Sequence, residues 1–113
     1  MNLLANVEAS DRGGTRVVRV SGEVDLSNAD EVMASIGREV PSEAARVVVD
    51  LSATSYLDSS GIAMIFRLAE RLRYSRQELR LVVPAMAPIR RVVELTNMSQ
   101  VIPVDDEVTA APA

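Results

Sequence analysis

Residues Arg46–Phe66 read RVVVDLSATSYLDSSGIAMIF and contain the strand, the junction and the helix start from which the fold class is predicted. They open with a short β-branched run, Arg46–Leu51, which is typical of a strand covered on both faces near the middle of a sheet. They close on the start of a helix predicted from about Ser60 to Arg73, whose wide apolar face indicates burial. Between the two lies DSSG at residues 58–61, a polar and flexible junction. A buried strand that leads into a buried helix favours an α/β fold.

Two strands and a helix are predicted before this stretch. A strand around Leu3–Ala9 and a strand at Arg16–Val20 form a hairpin across a glycine-containing turn. The segment Ser21-Gly22-Glu23 is expected to end the second strand. The apolar spacing over Asn28–Val40 then predicts a helix, with Ser27 as its capping residue.

Three further elements are predicted after the central stretch. They are a strand at Leu79–Val83, a helix that begins at Pro88 and an edge strand at Val101–Val104. The element order is then β-β-α-β-α-β-α-β. It predicts one α/β domain over residues 1–105, with a mixed, mostly parallel sheet of about four to five strands and helices packed on it. The acidic, small-residue segment 106–113 is expected to be a flexible tail.

The composition argues against several classes of protein. The 113 residues include no Cys and no His, and all twelve basic residues are Arg. The usual bases that activate a serine and the usual zinc ligands are therefore missing, so no enzyme, metal site or cofactor is expected. A net charge of −4 argues against nucleic-acid binding. No apolar run approaches the roughly 18 residues of a membrane span, and the first residues lack secretory-signal features, so a cytoplasmic protein without a membrane partner is expected.

The DSSG segment has both a structural and a functional interpretation. Asp58 or Ser59 can cap the second helix, and capping alone would account for the DSSG segment without a functional role. A second polar segment, SGEVDLSNA at residues 21–29, lies at the same end of the predicted sheet, where two junctions could bring Asp25 near Ser59. One cap needs only one acceptor, so Glu23 and Asp25 point to a role beyond capping. Paired carboxylates without a companion base or metal do not favour acid–base catalysis.

Together these segments resemble the STAS domain of bacterial anti-sigma factor antagonists, over most of the chain from about Arg16 to Val104. Gly22-Glu23-Val24-Asp25 is similar to that family's G-E-hydrophobic-D turn. VVVDL at residues 47–51, followed by YLDSSGI at residues 56–62, is similar to its central strand and phosphoacceptor loop. PIRRV at residues 88–92 is similar to the start of its last major helix.

The resemblance implies a protein of sigma-factor regulation, as in stress response or sporulation, that is switched by phosphorylation. The unmodified form binds an anti-sigma factor, which is a serine kinase of the GHKL type, and so releases the sigma factor. Phosphorylation of Ser59 by this kinase ends binding, and a PPM-type phosphatase reverses it. The implied partner-binding residues are Glu23, Asp25, Ser27, Asp58, Ser60, Gly61 and Ile62. The phosphate would face free amides at the start of the helix, so it should leave the fold intact and act at the surface.

Other functions remain open at this point. A STAS subunit of an ABC-type lipid transporter would share the fold, but such modules often vary at the phosphoacceptor, and Ser59 lies in an intact DSSG. A stressosome-like scaffold would be expected to carry an added sensor domain. A serine hydrolase that used Ser59 or Ser60 would need a base. Ala63 and the segment 73–77 lack glycines that are frequent in the family, which leaves the partner's identity open; a monomer or a weak dimer is expected.

Overall fold

The described chain begins with an antiparallel hairpin, as the sequence predicts. A computed structural model describes residues 4–108, and β1 (Ala5–Arg12) pairs in it with β2 (Thr15–Val24). Gly13 and Gly14 form the turn with positive φ angles of 56° and 87°, a conformation that favours glycine. β1 runs three residues beyond its predicted end at Ala9, and the Leu3 end of the predicted strand lies outside the described residues.

The second strand does not end at the predicted break. β2 continues to Val24 because Gly22, with φ of 93°, forms an irregularity at which the strand changes its neighbour. Its first half pairs in parallel with β3 (Arg46–Asp50), and its last residues pair in parallel with β4 (Thr54–Leu57). A Cβ atom at Gly22 would lie 2.1 Å from the carbonyl oxygen of Leu4, so a larger residue would displace the backbone there.

Helices and strands alternate through the rest of the chain. They are α1 at Ala29–Glu39, α2 at Ser59–Tyr74, β5 at Glu78–Val82, α3 at Arg90–Leu95 and β6 at Val104–Asp105, with a 3₁₀ turn at Met98–Gln100. The strand order β1-β2-β3-β5-β6, with β4 beside β2, confirms a mixed, mostly parallel sheet with β3 at its centre. The described sheet has six strands because β4, predicted as a loop, is a strand. The third helix and the last strand begin two and three residues later than predicted, at Arg90 and Val104.

The helices pack on one face of the sheet. Ile36 of α1, Ile65 of α2 and Val93 of α3 share one core cluster with the inward-facing strand residues Val18 and Val49. Successive strand residues point to opposite faces, and the other face carries a small second cluster. Its members are Val17, Val48 and Val82, with Val108 packed against them.

An ion pair joins the last two strands on that second face. Arg80 donates to both carboxylate oxygens of Asp105, from Nε at 2.7 Å and from Nη2 at 2.9 Å. These hydrogen bonds lower the pKa of the Asp105 carboxyl and raise the pKa of the Arg80 guanidinium. Asp106 then lies 3.3 Å from Arg90. Residues 106–108 of the predicted tail thus contact the domain, and residues 109–113 lie outside the described chain.

Candidate functional site

Two loops meet where β2 and β4 end side by side. The parallel pairs Glu23–Tyr56 and Val24–Leu57 align the ends of the two strands, and the amide of Asp58 donates to the carbonyl oxygen of Val24 at 3.3 Å. The β2–α1 loop and the start of α2 therefore leave the sheet together. The carboxyl ends of parallel strands are where sites commonly form in α/β folds.

Asp58 caps α2 and also joins the two loops. Its Oδ1 accepts hydrogen bonds from the amides of Ser60 at 2.9 Å and Gly61 at 3.0 Å. Its Oδ2 accepts from the amide of Leu26, in the other loop, at 3.2 Å. Asp58, and not Ser59, is thus the capping residue, which leaves the serine hydroxyl free of that task.

Ser59 is the first residue of α2 and is exposed to solvent. Its hydroxyl makes no hydrogen bond to any other residue in the part of the chain that the structure describes. A side chain at the first turn of a helix lies close to the positive end of the helix dipole, which favours an added negative charge. The site therefore exposes the Ser59 hydroxyl, which forms no hydrogen bond within residues 4–108, beside the Asp58 carboxylate that the cap holds in place.

The next three residues build the start of α2 into the core. Ser60 is partly exposed, and its amide is held by the cap. Gly61 is buried, and a Cβ atom there would lie 2.5 Å from Cδ1 of Leu57. Ile62 is half-buried and packs against the main core cluster. Of these three predicted site residues, Gly61 supplies close packing instead of exposed surface.

The β2–α1 loop is held by a residue that the sequence analysis did not single out. Asn28, only 2% exposed, accepts from the amide of Asp25 at 2.8 Å and donates to the carbonyl oxygen of Glu23 at 2.8 Å. The predicted cap at Ser27 is wrong, since its amide and hydroxyl both donate to Oδ1 of Asp25 and Asn28 precedes the helix. The signal was present, because Asn is as common as Ser before a helix.

This rigid loop displays a large apolar side chain among carboxylates. Leu26 is 82% exposed, although its amide is fixed by Asp58. Glu23 is exposed and Asp25 is partly exposed, and neither they nor Asp58 form an ion pair within residues 4–108. The two loops thus form an acidic surface that also exposes Leu26, which we call the two-loop surface: Glu23, Asp25, Leu26, Asp58 and Ser59.

The described residues contain no cluster suited to a metal ion. No group of three or more His, Cys, Asp or Glu side chains in residues 4–108 has the arrangement of a metal site. Among the same residues, no helix is both long enough and apolar enough to cross a membrane. The chemistry of the two-loop surface is therefore that of an exposed hydroxyl, carboxylates and one leucine.

The chain belongs to the STAS domain family. The family's model matches residues 6–111, which includes all the strands and helices from β2 to β6. Within this family the chain is similar to anti-sigma factor antagonists. The predicted fold class is confirmed.

Individual relatives support the same assignment. BtrV of Bordetella bronchiseptica, named as a candidate anti-sigma factor antagonist, is 30% identical over 101 residues, which cover 88% of this chain and 85% of BtrV. The crystal structure of an anti-sigma factor antagonist from Mycobacterium paratuberculosis superposes with a TM-score of 0.80 at 29% identity, covering 92% of this chain and 87% of that one.

More distant structures share the fold alone. The antagonist SpoIIAA in its unphosphorylated form superposes with a TM-score of 0.66 at 21% identity, over 91% of this chain and 89% of its own. The Bacillus SpoIIAA structure in the phosphorylated form gives a TM-score of 0.62 at the same identity, over 91% and 92% of the two chains. The match to the family model and the similarity to BtrV and to the Mycobacterium paratuberculosis antagonist show that this chain is a member of the anti-sigma factor antagonist group of STAS domain proteins.

Proposed function

We propose that this protein binds an anti-sigma factor through the two-loop surface and that phosphorylation of Ser59 ends the binding. The anti-sigma factor is a serine kinase of the GHKL type, and its capture releases a sigma factor. The observation that carries the proposal is the free, exposed hydroxyl of Ser59 at the first position of α2. A kinase can reach this oxygen without unfolding the helix. SpoIIAA, which shares the fold, has been solved in a phosphorylated form.

Ser59 is a better acceptor than the neighbouring serines. The hydroxyl of Ser27 donates to Asp25 at 2.5 Å, so a phosphate there would lose this hydrogen bond and lie against the Asp25 carboxylate. Ser60 is partly buried at the capped turn. Only Ser59 combines full exposure with a position next to the carboxylate of Asp58.

The phosphate would act through charge at the surface. A phosphoserine carries about −1.5 to −2 charges at neutral pH. The amides of Ser60 and Gly61, which the sequence analysis treated as free, are already bonded to Asp58. The phosphate therefore projects outward and adds its charge to those of Asp58 and Asp25, while the cap keeps the helix in place. A hundredfold loss of affinity corresponds to about 2.7 kcal/mol, which an unpaired charge buried in an interface readily exceeds.

The two-loop surface also indicates the chemistry of the partner. The three carboxylates, which form no ion pair within residues 4–108, would be matched by arginine or lysine side chains on the anti-sigma factor. Leu26 would fill an apolar pocket between those basic residues, as a buried anchor does at an interface centre. Conversion to the phosphorylated form would be reversed by a PPM-type phosphatase.

The proposal is tested by incubating the purified chain with ATP and purified GHKL-type anti-sigma factors. Intact-mass spectrometry should show one added phosphoryl group, and fragmentation should place it on Ser59. Ser59→Ala should bind the anti-sigma factor but gain no phosphate, whereas the matched variant Ser60→Ala should still be modified. Full phosphorylation of Ser59→Ala, or binding of no anti-sigma factor by the wild-type chain, would overturn the proposal.

A further inference from the structure

A groove lies along the second half of α2, toward the helix end opposite Ser59. Its volume is about 440 Å³, within the range of roughly 300–1,000 Å³ that small-molecule pockets occupy. The apolar part of its lining consists of Phe66, Ala69, Leu79, Val101 and Ile102. Phe66 is the chain's one phenylalanine and remains partly exposed there, as does Val101 at 62%. The groove is thus an open apolar surface between α2 and the segment before β6.

Four charged side chains also line the groove, and three of them already have partners. Glu70 and Arg73 form an ion pair at 2.8 Å. Glu78 lies 3.6 Å from Arg80. Arg76 forms no ion pair with any residue from 4 to 108. Arg76 is therefore the one charged side chain of the groove lining that has no ion-pair partner within residues 4–108.

Arg76 holds its position in an unfavourable backbone conformation. Its φ is 60°, in the left-handed region that favours glycine. The amide of Arg76 donates to the carbonyl oxygen of Arg73 at 3.0 Å, and that of Gln77 donates to Leu72 at 2.8 Å. These bonds form the turn that ends many helices, in which glycine is preferred at the position of Arg76. The sequence has an arginine at position 76, where the backbone conformation alone favours glycine, and this indicates a functional role for the arginine side chain.

The turn that carries Arg76 is anchored to the body of the domain. Gln77 is buried, and its Nε2 donates to the carbonyl oxygens of Pro41 at 3.0 Å and Ala44 at 2.8 Å. The backbone of Arg76 is therefore held between the end of α2 and the start of β5. The turn therefore fixes the point from which the Arg76 side chain extends, and this side chain lines the groove.

We propose that this groove binds a small amphiphile, namely an apolar chain that ends in a single carboxylate. The chain would pack against Phe66 and Val101, and the carboxylate would receive paired hydrogen bonds from Arg76. A ligand with a single carboxylate is proposed because Arg76 is the one arginine of the groove lining without an ion-pair partner within residues 4–108. A peptide with several acidic residues would meet repulsion from Glu70 and Glu78. This binding is independent of Ser59, which belongs to the first turn of the same helix.

The test uses octanoate and its uncharged counterpart 1-octanol, each titrated into the full chain and followed by amide NMR. Octanoate should produce saturable shifts at Phe66, Ala69, Leu79 and Ile102, and none at Gly61. Octanoate should bind about three- to fivefold more tightly than 1-octanol, the contribution expected of a solvent-exposed ion pair. The absence of saturable shifts, or equal affinity for the two probes, would overturn the proposal.

Matched arginine variants separate a specific contact from general charge. Arg76→Gln should abolish the preference for octanoate. Arg71→Gln should retain it, because Arg71 is an exposed arginine in the last turn of α2 that does not line the groove. Arg76→Gly suits the turn, so it should raise the thermal midpoint of unfolding and still lose the preference. Equal loss in Arg71→Gln and Arg76→Gln, or retention of the preference in Arg76→Gly, would contradict the assigned contact.

Discussion

The two loops at the candidate site place the same kind of residue before a helix but use it differently. Asn28 precedes α1 and makes no side-chain hydrogen bond to that helix; its two bonds hold the backbone of its own loop. Asp58 precedes α2, bonds to two amides of that helix and reaches across to Leu26. Asn28 therefore stabilises the first loop from within, whereas Asp58 stabilises the second and also links it to the first.

This difference explains how two side chains can be displayed together. The buried side chain of Asn28 bonds to Asp25 and Glu23 within its own loop. The amide of Leu26 is left free to bond Asp58. Asp58 takes over the cap, which leaves the hydroxyl of Ser59 free. The side chains of Leu26 and Ser59 thus take no part in these hydrogen bonds, and they are supported by neighbours, Asn28 and Asp58, that stabilise the fold.

The largest expected effect is that of Asn28→Ala. The substitution removes the buried Asn28 side chain and leaves the amide of Asp25 and the carbonyl oxygen of Glu23 without partners at a partly buried site, which should lower the free energy of unfolding by about 2–3 kcal/mol. Urea denaturation measures the change. Ser27→Ala is the matched control, because Ser27 is exposed, and it should stay within about 0.5 kcal/mol of wild type. If the two variants are equally destabilised, the contrast between the residues is wrong.

Asp58→Ala should have the next largest effect. It removes the cap of α2 and the bond to Leu26, and the free energy of unfolding should fall by about 1–2 kcal/mol. Asp58→Asn keeps a side-chain oxygen at the cap and should retain most of the stability. The same chemical denaturation series compares them, and equal losses in the two variants would show that the cap is not the source of the effect.

Leu26→Ala should change binding and leave stability alone. Because the side chain is exposed and only its backbone is bonded, the free energy of unfolding should shift by less than about 0.5 kcal/mol. Affinity for the anti-sigma factor, measured by calorimetry, should fall by about tenfold, or 1.4 kcal/mol. The exposed Leu95, on α3, provides the control: Leu95→Ala should bind as wild type does, and an equal loss would argue against a specific anchor.

The smallest effect is expected from a carboxylate that belongs to neither loop. Asp105→Asn removes the ion pair with Arg80 and should lower the free energy of unfolding by about 0.5 kcal/mol at pH 7. Folding lowers the pKa of Asp105, so its stabilisation is present above the unfolded value of about 3.9 and is lost as the pH falls through the folded value. The difference between variant and wild type should therefore disappear at acid pH; a difference that grows there would reverse the assigned sign.

Sequence patterns predicted the central features because those features are local. The β-branched run at Arg46–Asp50 and the junction at residues 58–61 are each read from a single short segment. The strand Thr54–Leu57 was missed because it exists only by pairing with the end of β2, beyond the irregularity at Gly22. The choice between Ser27 and Asn28 likewise depends on which side chain faces the strand end, which spacing along the chain does not reveal.

The exposed anchor could not have been predicted from residue type. Leucine is most often buried, and Leu26 lies shortly before a helix with a strongly apolar face. The exposure of the side chain shows that it points outward, and the bond between its amide and Asp58 holds the backbone that carries it. Local preference thus predicted the scaffold, and contacts between distant segments determined the surface.

The central claim is that one phosphate on Ser59 prevents binding while the domain stays folded. The most direct measurement compares the affinity of the unmodified and the Ser59-phosphorylated chain for the same anti-sigma factor, together with their far-UV circular dichroism. We expect the phosphorylated chain to bind about a hundredfold or more weakly than the unmodified chain, which corresponds to about 2.7 kcal/mol, and to keep the same helix signal. Equal affinities, or a phosphorylated chain that has lost its helix signal, would contradict it.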